Sequence, residues 1–136
     1  MQETYAIALV GRGRHEPAEI EVIEHDTGRV RLLLRAGLLT AEAESDDCFS
    51  ALQDIRRVLE EDGLAAYCYG SSRNVFPSGM SRSMGGGRKA YRLSLGKQGR
   101  MADLVDIFTA GPDIELVSVE EQQRFFRQWI DSLGRK

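Results

Sequence analysis

Apolar and polar positions alternate along the first third of the chain, and that alternation predicts strands. Tyr5 to Val10 is apolar on both faces and reads as a central strand, broken by Gly11 to Pro17. From Ala18 onward Ile20 and Val22 point inward, with Glu19 and Glu21 outward. An Asp26-Thr27-Gly28 turn leads to a second run, with Val30, Leu32 and Leu34 inward and Arg29, Arg31 and Arg35 outward. After Ala36-Gly37 a third run sets Leu39, Ala41 and Ala43 against Thr40, Glu42 and Glu44. A tight turn at Ala36-Gly37 places Leu34 opposite Leu39, Leu32 opposite Ala41 and Val30 opposite Ala43, with Arg31 facing Glu42 and Arg29 facing Glu44. A three-residue turn at His25–Thr27 places Val22 opposite Val30 and Glu21 opposite Arg31. Apolar and ionic pairings agree in both hairpins, so a three-stranded meander is expected.

The period then changes. Phe49, Leu52, Ile55 and Leu59 recur at helical spacing, predicting a helix from Asp46 to Asp62 that Gly63 ends. Leu64 to Tyr69 reads as a buried strand, and Ala90 to Leu95 as another with Tyr91, Leu93 and Leu95 on one face. Leu104, Val105 and Phe108 suggest a short helix over Ala102 to Phe108, and Ile114 to Val117 a short edge strand. Ser118 and Glu121 form a capping-box pattern before Val119, Phe126, Trp129, Ile130 and Leu133, the apolar face of a last helix. Hairpin-linked strands with only two substantial helices predict an α+β fold: a mostly antiparallel sheet with both main helices packed on one face. No repeat or linker divides residues 1–136, so a single globular domain is expected.

Charge changes this picture. The segment from Gly63 to Ala102 has no Asp or Glu and seven bases, Arg73, Arg82, Arg88, Lys89, Arg92, Lys97 and Arg100. It carries a formal +7 against −10 for the rest of the chain, which is −3 in total. Ten of the 19 residues from Gly70 to Arg88 are Gly or Ser, so positive charge and a loose backbone coincide. Cys48 and Cys68 have neither C-x-x-C spacing nor a nearby histidine pair, which predicts free buried thiols and no metal site. The N-terminal MQETYAIALVGRGR has no base before its short apolar run, unlike a signal peptide or membrane span. A cytoplasmic location without membrane insertion is the expectation.

Candidate chemistry is thin. Gly79 to Arg88 lacks P-loop spacing and opens a strand instead of a helix, so it has no helix N-terminus to cradle phosphate. A long hairpin connection, a partner-binding loop and a nucleotide site all remain readings of it. Phe76 and Met80 either anchor a partner or fold back onto the core. His15 and His25 occupy separate turn segments among acids, and Asp103 with Asp106 reads as a solvated helix face. No catalytic residue and no cofactor is assigned. Tyr67, Tyr69, Phe76 and Tyr91 could stack bases beside the positive charge, but a pI near 5.4 argues against nucleic acid.

Tyr67-Cys-Tyr-Gly-Ser-Ser-Arg-Asn-Val-Phe-Pro-Ser-Gly-Met, followed by Met84-Gly-Gly-Gly and Asp106-Ile-Phe-Thr-Ala-Gly-Pro-Asp113, resembles uncharacterised small bacterial proteins. Some of these are similar to immunity proteins encoded beside polymorphic toxins. The resemblance covers about the C-terminal half and implies no particular functional residue. It implies a non-enzymatic protein-binding module that occludes a cognate toxin. The surface expected to bind is Arg73, Asn74, Phe76, Met80, Arg82 and Arg88, with Asp103, Asp106 and Asp113 as a second charged patch. The alternative is an enzyme or binding domain that holds an anionic small molecule on the basic loop.

Overall fold

A computed structural model describes residues 2–134. Strands β1 (Gln2–Gly11), β2 (Arg14–Glu24), β3 (Val30–Ala36), β4 (Leu39–Ser45) and β5 (Ala65–Tyr67) form one sheet, ordered β4-β3-β2-β1-β5. All neighbours in it are antiparallel. The β1–β2 hairpin turns on Arg12 and Gly13 alone, so the sequence break expected from Gly11 to Pro17 is much shorter than its composition suggests. Gly11 is needed there for two reasons. It has φ +123°, and a Cβ would lie 2.3 Å from the carbonyl oxygen of Gly63, where helix α1 (Cys48–Glu61) gives way to β5.

The meander forms with the expected faces but a different register. Val22 pairs with Leu32, and Leu34 with Ala41, each strand shifted by two residues from the sequence-based pairing. The β3–β4 turn is Gly37-Leu38, and the β2–β3 connection runs from His25 to Arg29, closed by His25 N–H donating to Arg29 O at 2.9 Å. A two-residue slip leaves every side chain on its own face, so the apolar pattern cannot detect it. The cross-strand ions still meet, diagonally: Arg31 with Glu42, and Arg29 with Glu44 at 3.4 Å. Glu21 reaches Arg35 at 3.4 Å instead of Arg31.

α1 begins at Asp47, whose carboxylate accepts from Ser50 N–H at 2.8 Å, and lies across β3, β4 and β5. Its Phe49, Leu52, Ile55 and Leu59 are buried against Leu9, Ile20, Leu32 and Leu34 of the sheet. Each contributes about 1.5–3 kcal/mol of burial free energy. The fold is therefore α+β around an antiparallel sheet.

The segment read as a Gly/Ser-rich connection is structured. It contains β6 (Val75–Phe76) and α2 (Gly79–Met84), and Ser71, Ser72 and Val75 within it are buried. β6, β7 (Lys89–Arg92) and β8 (Leu104–Asp106) make a second antiparallel sheet, ordered β6-β7-β8. The short helix expected over Ala102 to Phe108 is β8, preceded by one 3-10 turn, because β7 offers it a pairing edge. Three residues of helical spacing cannot outweigh that pairing. The strand expected over Ile114 to Val117 shrinks to a single bridge between Ser72 and Leu116. On β7 the core residue is Ala90, while Tyr91 is only half-buried; past the end of the strand Leu93 is buried and Leu95 is exposed.

Helix α3 (Val119–Leu133) is capped by Ser118, whose hydroxyl accepts from Glu121 N–H at 3.1 Å. It meets α1 and β6 rather than the large sheet. One buried polar network holds it. Gln122 Nε2 lies 2.8–3.0 Å from the carbonyl oxygens of Gly70, Ser72 and Val75. Its Oε1 accepts from Arg56 of α1 at 2.5 Å, and the same guanidinium donates to Gly70 O and Val117 O. Arg56 is buried without an ion pair among the described residues, and burial lowers its pKa to about 10. No helix among the described residues is long and apolar enough to cross a membrane.

Candidate functional site

The small sheet supplies the floor of a groove. Phe76 pairs with Tyr91 and Tyr91 with Leu104 across the three strands, so all three side chains share one face. The opposite face carries Val75, Ala90 and Val105 toward the core. α3 forms one wall with Phe126, Trp129, Ile130 and Leu133, enclosing a cavity of about 400 Å³ against Phe76, Tyr91 and Leu93. α2 forms the other wall, and Met80, Met84, Tyr91 and Leu104 line a second depression of about 350 Å³ that shares Tyr91 and Ser78 with the first.

Aromatic contacts join this groove to the core. Phe76 stacks on Phe126 with centroids 4.0 Å apart and meets Phe49 of α1 edge-on at 4.9 Å. Phe126 in turn lies 5.9 Å from Trp129. Trp129 Nε1–H donates to Lys97 O at 2.8 Å, and Gly96 N–H donates to Ser132 Oγ at 2.7 Å, so α3 pins the turn after β7. The turn runs on to Gly99, where a Cβ would lie 2.8 Å from the Tyr91 ring.

Most residues singled out for partner binding serve the molecule's own fold. Arg73 pairs with Glu115 at 2.7 Å and Glu121 at 3.8 Å. Asn74 donates to Leu93 O and accepts from the Ser72 hydroxyl. Arg82 donates to Ser50 Oγ at 2.9 Å, lies 3.5 Å from Asp47, and sits 5.3 Å over both the Phe49 and Phe76 rings. Arg88 is held between Glu3 and Glu24 over the Tyr5 ring. Burial works against its charge, but the bond to Glu3 and nearby negative groups outweigh that and raise its pKa.

The three acids are likewise engaged. Asp103 accepts from Arg100 N–H, while Asp106 accepts from Tyr5 Oη at 3.1 Å and Phe108 N–H at 2.9 Å. Asp113 accepts from Tyr69 Oη at 2.6 Å and from Arg92 at 3.2 Å. Burial and then Asp106 push the Tyr5 pKa up to about 12. The hydrogen bond from Tyr69 lowers that of Asp113.

A free basic rim was the premise of the sequence-based surface, and for Arg73, Arg82, Arg88 and Arg92 it does not hold. Their carboxylate partners lie outside the acid-free segment, so its composition conceals them. Phe76 forms the groove floor, with one ring face against Phe126, and Met80 stands exposed on the α2 wall. Trp129 and Ile130 read in the sequence as the ordinary apolar face of a helix, and Tyr91 enters there on a strand face and as an aromatic able to stack bases.

Burial pushes the Cys48 thiol up to about 11 and raises that of Cys68, opposite to what a nucleophile needs. His15 and His25 are exposed, on β2 and in the turn after it. Among the described residues no three metal-binding side chains cluster. No protein-family model matches the chain, and no curated protein sequence matches it.

Proposed function

We propose that the chain is a protein-binding module acting in the cytoplasm, and that its docking surface is the aromatic groove between α3 and the small sheet. The single observation carrying this reading is the open row Phe76–Tyr91–Leu104, walled by Trp129 and Ile130. Aromatic and methionine side chains around a preformed concavity are what interface centres concentrate. The resemblance of the C-terminal half gives the role its narrower form, an immunity protein that neutralises a cognate bacterial toxin by occluding its active site. An anionic small molecule is the poorer fit, since Arg73, Arg82 and Arg88 already face carboxylates of the same chain.

The test has two stages. Proteins captured from the native host by the tagged chain would each be expressed with wild type or with Ile130→Ser, reading colony growth. Protection by wild type, reduced in the variant, is expected. A bound protein tolerated equally with and without the chain would remove the immunity role. Capture that Ile130→Ser leaves unchanged would remove the groove.

A further inference from the structure

The structure divides the seven bases of the acid-free segment into two sets. Arg73, Arg82, Arg88 and Arg92 are ion-paired internally, while Lys89, Lys97 and Arg100 have no ion pair among the described residues. The second set borders the groove on the side of the small sheet. Lys89 lines the α2 depression, and Lys97 and Arg100 flank Gln98 and Gly99, which line the larger cavity. A fourth base with no ion pair among the described residues, the exposed Arg127, precedes Ile130 by three residues on α3, beside the wall that Phe126 and Ile130 form. The cavity lining itself contains no charged side chain.

We infer that the groove takes an amphipathic segment of a partner protein whose apolar anchors are flanked by carboxylates. This rests on the protein-binding reading above and specifies the partner. Apolar side chains would fill the floor, and acids beside them would meet the four rim cations. The α2 wall suits such a segment, because Met80 and Met84 are 72% and 81% exposed and unbranched methionine adapts to varied shapes.

Charge argues against a second copy of the chain as occupant. A two-fold dimer through this face would set each rim against its own copy, bringing like charges together. Shape argues against a lipid surface. Cations and exposed methionines could meet anionic headgroups, but a bilayer cannot enter a concavity walled by two helices.

Three labelled peptides would test this on the full chain by fluorescence anisotropy. They share apolar anchors at helical spacing and carry Glu, Gln or Lys flanks. The Glu peptide is expected to bind tightest and the Lys peptide weakest, about tenfold apart at low salt and closer as salt rises. Lys97→Glu with Arg100→Glu takes the four-cation rim to a net charge of zero and should abolish that order. Ile130→Ser should weaken all three equally. Circular dichroism of both variants would show that they remain folded.

Equal affinity for the Glu and Lys peptides, or an order that survives the double charge reversal, would overturn the inference. So would binding to phosphatidylserine vesicles with none to the peptides, or a dimer in light scattering that Ile130→Ser dissolves. Failure of all three peptides to bind overturns it too. In that case the protein-binding reading is judged separately, by the growth assay with the captured protein.

Discussion

Replacing Gln122 with leucine keeps the side chain's volume and removes its amide from the network that holds α3. The amide is fully buried, so no water takes its place. Arg56 Nη1–H loses the Oε1 acceptor at 2.5 Å but keeps Gly70 O at 3.1 Å. A hydrogen bond to a charged group contributes about 1.5–3 kcal/mol, and each of the two amide N–H bonds about 0.5–1.5 kcal/mol. Leucine's extra apolar surface offsets part of this, on the order of 1–2 kcal/mol. The expected net loss is about 3 kcal/mol, a fall in Tm of roughly 10 °C for a chain of this size. Urea unfolding followed by circular dichroism measures it, with the exposed Gln128→Leu as a control that should shift stability by less than about 0.5 kcal/mol. Arg56→Met should destabilise comparably, because it strands Gln122 Oε1 and the carbonyl of Val117. The double variant should lose less than the two single losses together, since neither polar partner is then left alone. Gln122→Leu within about 1 kcal/mol of wild type, or strict additivity, would refute the network's role.

Gly70→Ala would place a Cβ 2.4 Å from Leu52 Cδ2 and 3.1 Å from Ile107, so it should cost about 1–3 kcal/mol in urea unfolding. At acid pH the Arg88 hydrogen bond keeps the Glu3 pKa low, and the Tyr69 hydrogen bond does the same for Asp113. Folded values below unfolded ones mean stability that is present above the unfolded pKa and lost as pH falls through the folded one. Thermal melts from about pH 7 to about pH 3 should therefore show a Tm decline that Glu3→Gln makes shallower. Cys48 and Cys68 are buried with raised pKa values, so an aromatic disulfide reagent at about pH 8 should label neither until denaturant is added.

What could be read in the sequence follows from the range of the forces involved. α1 was legible because Phe49, Leu52, Ile55 and Leu59 repeat over several turns, with Asp47 and Gly63 marking its ends. Strand faces were legible for Val22, Leu32 and Leu34, yet their register was not, because period-two patterning is unchanged by a two-residue slip. β6 and β8 are two and three residues long, too short for any period, and exist because β7 pairs with both. The arginine partners were hidden for another reason. Arg88 meets Glu3 from 85 positions away, and Arg82 meets Asp47 from 35, distances at which local charge counting is blind. The groove itself was invisible because Phe126, Trp129 and Ile130 carry the spacing of a buried face, and only tertiary packing leaves that face half open.

Every methionine among the described residues stands outside the core: Met101 is exposed, as Met80 and Met84 are. Their sulfur atoms are open to oxidants, and sulfoxide formation would turn flexible apolar side chains polar without disturbing a single core contact. Brief peroxide treatment should thus blunt adhesion at the α2 wall while the melting curve stays in place, and methionine sulfoxide reductase should restore what was lost.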